Sequence, residues 1–172
     1  VTGNTSIGRH VNFLGGTVNL NGNSGFFNRT TIDGGTLNLV GAFRSNANGA
    51  IYVNSGALNL KSTSTSLSDD PEQNFNNTIQ VLNVAAGAAV TVDTGAVATI
   101  ASATIAAPIV NKGTLPLSGS LTVSDLSGFT PTGSGGTPTY VDADGNPSEN
   151  GYLSGTRIYT LIENTGTLND DA

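Results

Sequence analysis

The chain contains no cysteine. That removes disulfides, thiolate metal sites and thiol nucleophiles together, and it excludes the small folds that depend on disulfide staples. Charge is scarce as well: 10% of residues are Asp, Glu, Lys or Arg, against about 25% in an ordinary globular domain. A surface short of charge must be built from hydroxyl and amide groups, and Ser, Thr and Asn supply them here. Long apolar runs are missing too. The longest, Ala96 to Val110, is broken by Thr99, Ser102, Thr104 and Pro108 and falls short of the ~20 apolar residues that a membrane-spanning helix needs. Membrane insertion of this chain is not expected.

The basic residues Arg9, Arg29, Arg44, Lys61, Lys112 and Arg157 stand singly along the sequence. A nucleic-acid partner requires a basic stripe to neutralise phosphates, so none is expected. Of the twelve acids, Asp142, Asp144, Glu149, Glu163, Asp170 and Asp171 lie beyond residue 140, which leaves the body nearly neutral and the C-terminal end acidic. The one histidine, His10, rules out an imidazole metal cluster, and no Gly-x-Ser-x-Gly segment supplies a serine nucleophile beside it. No catalytic or cofactor-binding residue is assigned. A start at Val1, with neither Met nor a signal-peptide pattern, predicts a processed or excised product.

What is abundant is glycine, 23 residues, together with Val, Ile and Leu that alternate with Thr or Asn. Disordered chains are poor in β-branched residues, so the pattern predicts a folded all-β protein. It also repeats. Gly15-Gly16-Thr17-Val18-Asn19-Leu20 returns as Gly34-Gly35-Thr36-Leu37-Asn38-Leu39 and as Ser55-Gly56-Ala57-Leu58-Asn59-Leu60, at offsets of 19 and 21 residues. Upstream, Thr31-Ile32-Asp33 corresponds to Tyr52-Val53-Asn54. Each unit reads strand, Asp/Asn-Gly turn, strand.

Side chains alternate along a strand, so Val18, Leu20, Leu37, Leu39, Leu58 and Leu60 face one way and the Thr, Ala and Asn between them face the other. A hairpin meander alternates similarly but sets unlike residues opposite each other, whereas a solenoid stacks each repeat on its copy. The sequence therefore predicts a parallel β-helix (β-solenoid) of about 20 residues per coil, with an Asn19–Asn38–Asn59 ladder outside. Gly marks the corners. Ala86–Val92 and Thr94–Ile100 read as narrower coils, and Ile109–Leu117 as a return to the full unit, with Pro116 in the slot of Asn and hence near an edge or bulge. An Ala-rich helix over 96–107 is the rival, disfavoured by its β-branched content.

Two stretches interrupt the repeats. Residues 62–77, with Ser, Asp, Asn and Pro71, read as an insertion at a corner. Ser127 to Gly151 carries Pro131, Pro138, Pro147 and a Gly/Ser run, and precedes a strand-like Arg157–Ile162. The expected organisation is a solenoid body over 1–126 and, over 127–172, a Gly/Pro-rich loop, an acidic turn and a closing strand.

The units Ile32-Asp33-Gly34-Gly35-Thr36-Leu37-Asn38-Leu39 and Val110-Asn111-Lys112-Gly113-Thr114-Leu115 resemble the repeats of bacterial autotransporter passengers and filamentous-haemagglutinin-like secreted proteins. The resemblance covers residues 5–125, and Tyr159–Ile162 with Gly166–Leu168 is similar to the end of such passengers. It implies a right-handed parallel β-helix at the cell surface or outside the cell, serving as a stalk or an adhesin. The leading expectation is a non-catalytic subunit or segment of a surface fibre, with self-association. The alternatives are an adhesin binding a host or matrix glycan or protein through its solenoid face or the 62–77 loop, and a polysaccharide-active β-helix enzyme. The third needs paired carboxylates. Asp33 and Asp93 at turns and Asp69-Asp70 in the insertion are the candidates, but Asp33 shares its slot with Asn54, which suits an Asx turn.

Asp142-Ala143-Asp144-Gly145-Asn146-Pro147-Ser148-Glu149 has the alternating oxygen ligands of a Ca²⁺ loop in Asp142, Asp144, Asn146 and Glu149, and is also plain turn chemistry. The two readings separate in a melting experiment. If the segment binds Ca²⁺, chelator lowers the melting temperature and added Ca²⁺ restores it; an unchanged melt identifies a turn.

Overall fold

A computed structural model describes residues 1–66, 74–133, 151–154 and 157–170. Among these residues the regular structure is all strand, with no helix. The chain opens with β1 (Thr5–Ile7), β2 (Val11–Phe13) and β3 (Thr17–Leu20). β4 (Ser24–Phe26) leads into β5 (Thr30–Leu39), which pairs with β2 through its first half and with β3 through its second. β6 (Phe43–Ser45) and the long β7 (Ala50–Leu60) repeat that arrangement. After the 62–77 insertion come β8 (Thr78–Ile79), β9 (Val81–Val84) and β10 (Ala89–Val92), then β11 (Thr99–Ile100), β12 (Ala103–Ile105) and β13 (Ile109–Asn111). β14 (Thr114–Leu117) and β15 (Leu121–Val123) precede β16 (Pro131–Gly133), β17 (Gly151–Ser154) and β18 (Arg157–Thr160). The last are β19 (Ile162–Asn164) and β20 (Thr167–Asp170).

Apart from β16, β17 and β18, these strands line up in three parallel rows. One is a seven-stranded sheet in the order β1-β4-β6-β8-β11-β14-β20. The second runs β2-β5-β7-β9-β12-β15 and the third β3-β5-β7-β10-β13-β19, joined into one sheet because β5 and β7 serve both. The tail strands β19 and β20 thus extend the same sheets as the body, while β16-β18-β17 form a separate antiparallel sheet. Phe129 and Tyr159, both buried, meet edge to face, with ring centroids 6.5 Å apart.

The core is made of stacked aliphatic columns. Leu37 lies between Val18 and Leu58, as the repeats predict, and the column continues through Val90 and Ile109 to Ile162. Leu20, Leu39, Leu60 and Val92 form a second column beside it. Burial of each such side chain contributes about 1.5–3 kcal/mol. On the outer side, Asn38 Nδ2 donates to Asn19 Oδ1 at 2.6 Å and Asn59 Nδ2 donates to Asn38 Oδ1 at 2.8 Å. The amide ladder is real, and Thr91 extends its column beyond Asn59.

Beyond residue 80 the register differs from expectation. The segments 86–92 and 94–100 are not narrower coils: β10 stacks on the second half of β7, whereas β11 sits in the first row beside β8. Asn111 pairs with Val92, so it takes the inward position of Leu60 rather than a turn position like that of Asp33. Buried, its Nδ2 donates to Asn164 Oδ1 at 2.8 Å and to the Thr167 carbonyl at 2.9 Å, and its Oδ1 accepts from the Gly113 N–H. Pro116 lies in β14, between β11 and β20. There the β11 side is interrupted between the Val97–Thr114 bridge and the Ile100–Leu117 pair, where a residue without an N–H cannot donate.

Corner glycines carry the turns between the second and third rows. Gly56 has φ 82°, and a Cβ there would strike the Gly35 carbonyl of the layer below. Leu37→Ala is expected to cost about 2–5 kcal/mol, and Gly56→Ala to destabilise through both strain and collision. Thr17→Ser, on an exposed position of β3, should stay within about 0.5 kcal/mol. Urea-unfolding midpoints of the three variants check this ranking.

Candidate functional site

The outward columns are the surfaces on which any site must be built. On the second row they carry Asn12, Thr31, Tyr52, Asn83, Thr104 and Thr122 in register, with Thr31 itself buried. The third row presents the Asn ladder, in which Asn38 and Asn59 each donate Nδ2 to the Oδ1 beneath.

The candidate carboxylates do not converge. Asp33 lies at the turn between the second and third rows, where its Oδ1 accepts from Asn54 Nδ2 at 2.8 Å. This is the Asx equivalence that the repeat implies. Asp93 lies at the next corner, between the third row and the first, and pairs with Lys61 at 3.1 Å. Both side chains of that pair are more than a third exposed, so the bridge contributes at most about 1 kcal/mol. Asp69, Asp70 and the Ca²⁺ candidates Asp142, Asp144, Asn146 and Glu149 fall outside the described residues. Among the described residues no group of three or more His, Cys, Asp or Glu is placed to hold a metal, and no helix is long and apolar enough to cross a membrane.

The base of the 62–77 insertion is firmly built. Ser66 and Phe75 exchange backbone hydrogen bonds of 2.9 and 2.7 Å, closing the loop antiparallel. Asn77, fully buried at φ 57°, seals it from within. Its Oδ1 accepts from the Phe43 N–H at 3.0 Å and its Nδ2 donates to the Ser64 carbonyl at 3.0 Å. Asn suits this role because it tolerates the left-handed conformation and supplies both an acceptor and a donor. At the start of the tail, Asp125 is held below the usual carboxylate range by side-chain and backbone hydrogen bonds from Ser127, which outweigh desolvation.

Basic residues far apart in sequence are brought together. The three-residue turns Gly8–His10 and Phe27–Arg29 join the first row to the second in successive layers. They lie one over the other, because Phe27 N donates to the Ile7 carbonyl and Val11 N to the Arg29 carbonyl. Arg9, His10 and Arg29, all exposed, therefore share one corner. Arg29 is fixed there: its Cζ sits 4.2 Å from the Tyr52 ring centroid and its Nε donates to Thr31 Oγ1 at 3.3 Å. On the first-row side of the corner, Arg44 lies between Phe27 and Phe75, with Cζ 5.2 and 5.5 Å from the two centroids. Phe27 reaches Arg44 by folding over Gly25, where a Cβ would strike its ring. Scattered spacing in the sequence thus becomes a basic, aromatic corner once the turns stack. A basic residue recurring one layer apart in turns of equal length was the available signal.

Comparison with protein-family models, with curated proteins and with solved structures finds no match to this chain.

Proposed function

We propose that the chain is a segment of a three-sided parallel β-helix, about 20 residues per turn, that serves as a non-catalytic stalk or fibre element at the cell surface or outside the cell. The observation that supports this reading is the in-register stacking of parallel strands in three rows, with Leu on Leu inside and Asn on Asn outside in the third. Such a structure grows in one dimension by adding layers, each bonded only to its neighbours, and so builds length rather than a cleft. The outer hydroxyl and amide columns suit a rod exposed to varied solvent, because their hydrogen bonding is independent of pH and salt.

Growth by self-association is included in the proposal. Among the described residues β1 and β2 pair on one side only, with β4 and β5. Their other side carries N–H and C=O groups that a further parallel strand, from a second copy or from coils of the same polypeptide, can pair with. A repeating contact of this kind does not close on itself and yields a filament.

Val11 N donates toward β5, so the alternating N–H of Asn12 points to the free side. Asn12→Pro removes that donor without removing a bond inside the molecule, and the same alternation applies to Ser6→Pro in β1. Light scattering and electron microscopy of the full chain are expected to show mass growing with concentration and rods longer than one molecule. The double proline variant should stay monomeric with an unchanged far-ultraviolet spectrum. A full chain that remains monomeric at millimolar concentration overturns the self-association.

A further inference from the structure

We infer that the corner formed by the turns 8–10 and 27–29 is a binding site for an acidic polysaccharide, with Arg29 and Tyr52 at its centre. This goes beyond the fibre reading and does not depend on it. The charge arrangement comes first. Among residues 1–60 the only acid is Asp33, and it lies at the opposite end of the second row from the corner, occupied by Asn54. The exposed guanidinium groups of Arg9 and Arg29 are thus concentrated on one edge, with His10 beside them, on a chain whose formal net charge is −6.

Rigidity comes next. A guanidinium that must be ordered on binding costs side-chain entropy; one already held loses less per hydrogen bond formed. Arg29 is held twice, by stacking on Tyr52 at 4.2 Å and by the 3.3 Å bond from its Nε to Thr31. The bond to Thr31 uses Nε and not the two terminal nitrogens, the portion of the fork that grips a carboxylate or sulfate with two parallel bonds.

The surroundings favour a sugar polymer over a compact anion. The second row continues from the corner as an in-register column of Tyr52, Asn83, Thr104 and Thr122 at the strand spacing, about 4.8 Å per layer. Hydroxyls and amides spaced along a line suit a chain of sugar hydroxyls, and Tyr52 adds an apolar ring edge with a polar tip. A nucleic acid would need more cations than this corner holds.

The test uses the intact chain and three immobilised polymers: dextran sulfate, polygalacturonate and unmodified dextran. Binding is expected to dextran sulfate, to polygalacturonate or to both, and to weaken as salt rises; unmodified dextran should bind far less. Arg29→Ala should weaken binding by roughly tenfold or more, the loss of a charged hydrogen-bonded contact. Arg29→Lys should recover only a fraction of it, because it restores charge without the planar fork. Lys112→Ala, away from this corner, should leave binding unchanged, and melting temperatures verify that every variant is folded. Failure to bind either polyanion at low salt overturns the site. So does an equal loss from Lys112→Ala, or duplex DNA binding as tightly as the polysaccharides, since each would reveal general attraction of polyanions. Arg29 lies one layer in from β1 and β2, and the readouts differ, growth of mass for self-association and polymer binding for this site, so the two can fail separately.

Discussion

Everything in this fold depends on parallel strands meeting in register, so that each residue rests on its structural equivalent in the adjacent layer. That constraint is severe because the side-chain period is two: a slip of one position would turn an aliphatic column outward and an amide column inward. Leu37 between Val18 and Leu58, and Asn38 between Asn19 and Asn59, are two expressions of the same register. The apolar column gives most of the energy, at about 1.5–3 kcal/mol per residue. The amide ladder gives less, about 1 kcal/mol per bond, but it is directional. A slipped register would leave Asn without its partner, so the ladder adds specificity that a purely aliphatic stack lacks.

The corners are where that constraint is met in backbone terms. Layers at the strand spacing bring turns within contact of one another, and there is no room for a side chain where one turn passes under the next. Gly56 above Gly35 shows the limiting case, with left-handed φ and close approach required at one residue. Where the chain needs the same conformation but also a buried hydrogen-bonding group, it uses Asn77 instead. The insertion can therefore leave the layers after Lys61 and rejoin them at Thr78 without breaking the rows, because Asn77 binds Phe43 of the layer below and Ser64 of the departing strand.

The first three layers were legible in the sequence because their signal is local and repeated: the Gly-Thr-Leu-Asn-Leu unit states the alternation, the turn and the period together. The later layers were less so. Turns there vary from one residue, between β8 and β9, to six, between β10 and β11, and a motif-by-motif match slides Ile109–Leu117 out of place. Asn111 is instructive, since an Asn before Lys112-Gly113 reads as a turn residue. Its inward position makes physical sense only through Asn164 and Thr167, which are more than fifty residues away in the chain. No local pattern carries that information. The all-β class and the parallel pairing were accessible; the assignment of each segment to its row was not.

The same reasoning explains why the basic corner escaped a linear reading. Arg9 and Arg29 are separated by about one layer of chain, and charges at that spacing look isolated unless the turns that bear them are equal in length and stacked. Here they are, and the one acid among residues 1–60, Asp33, lies at the far end of the second row. In such a setting a cation acts differently from one on an ordinary surface, where acids nearby take up much of its field. Lys61 illustrates the ordinary case, paired with Asp93 at another corner. Arg29 is instead packed on a ring and a hydroxyl, partners that fix its direction without neutralising it. If the corner binds as proposed, a guanidinium fixed in direction beside a column of hydroxyls and amides is what gives it selectivity for anionic polymers.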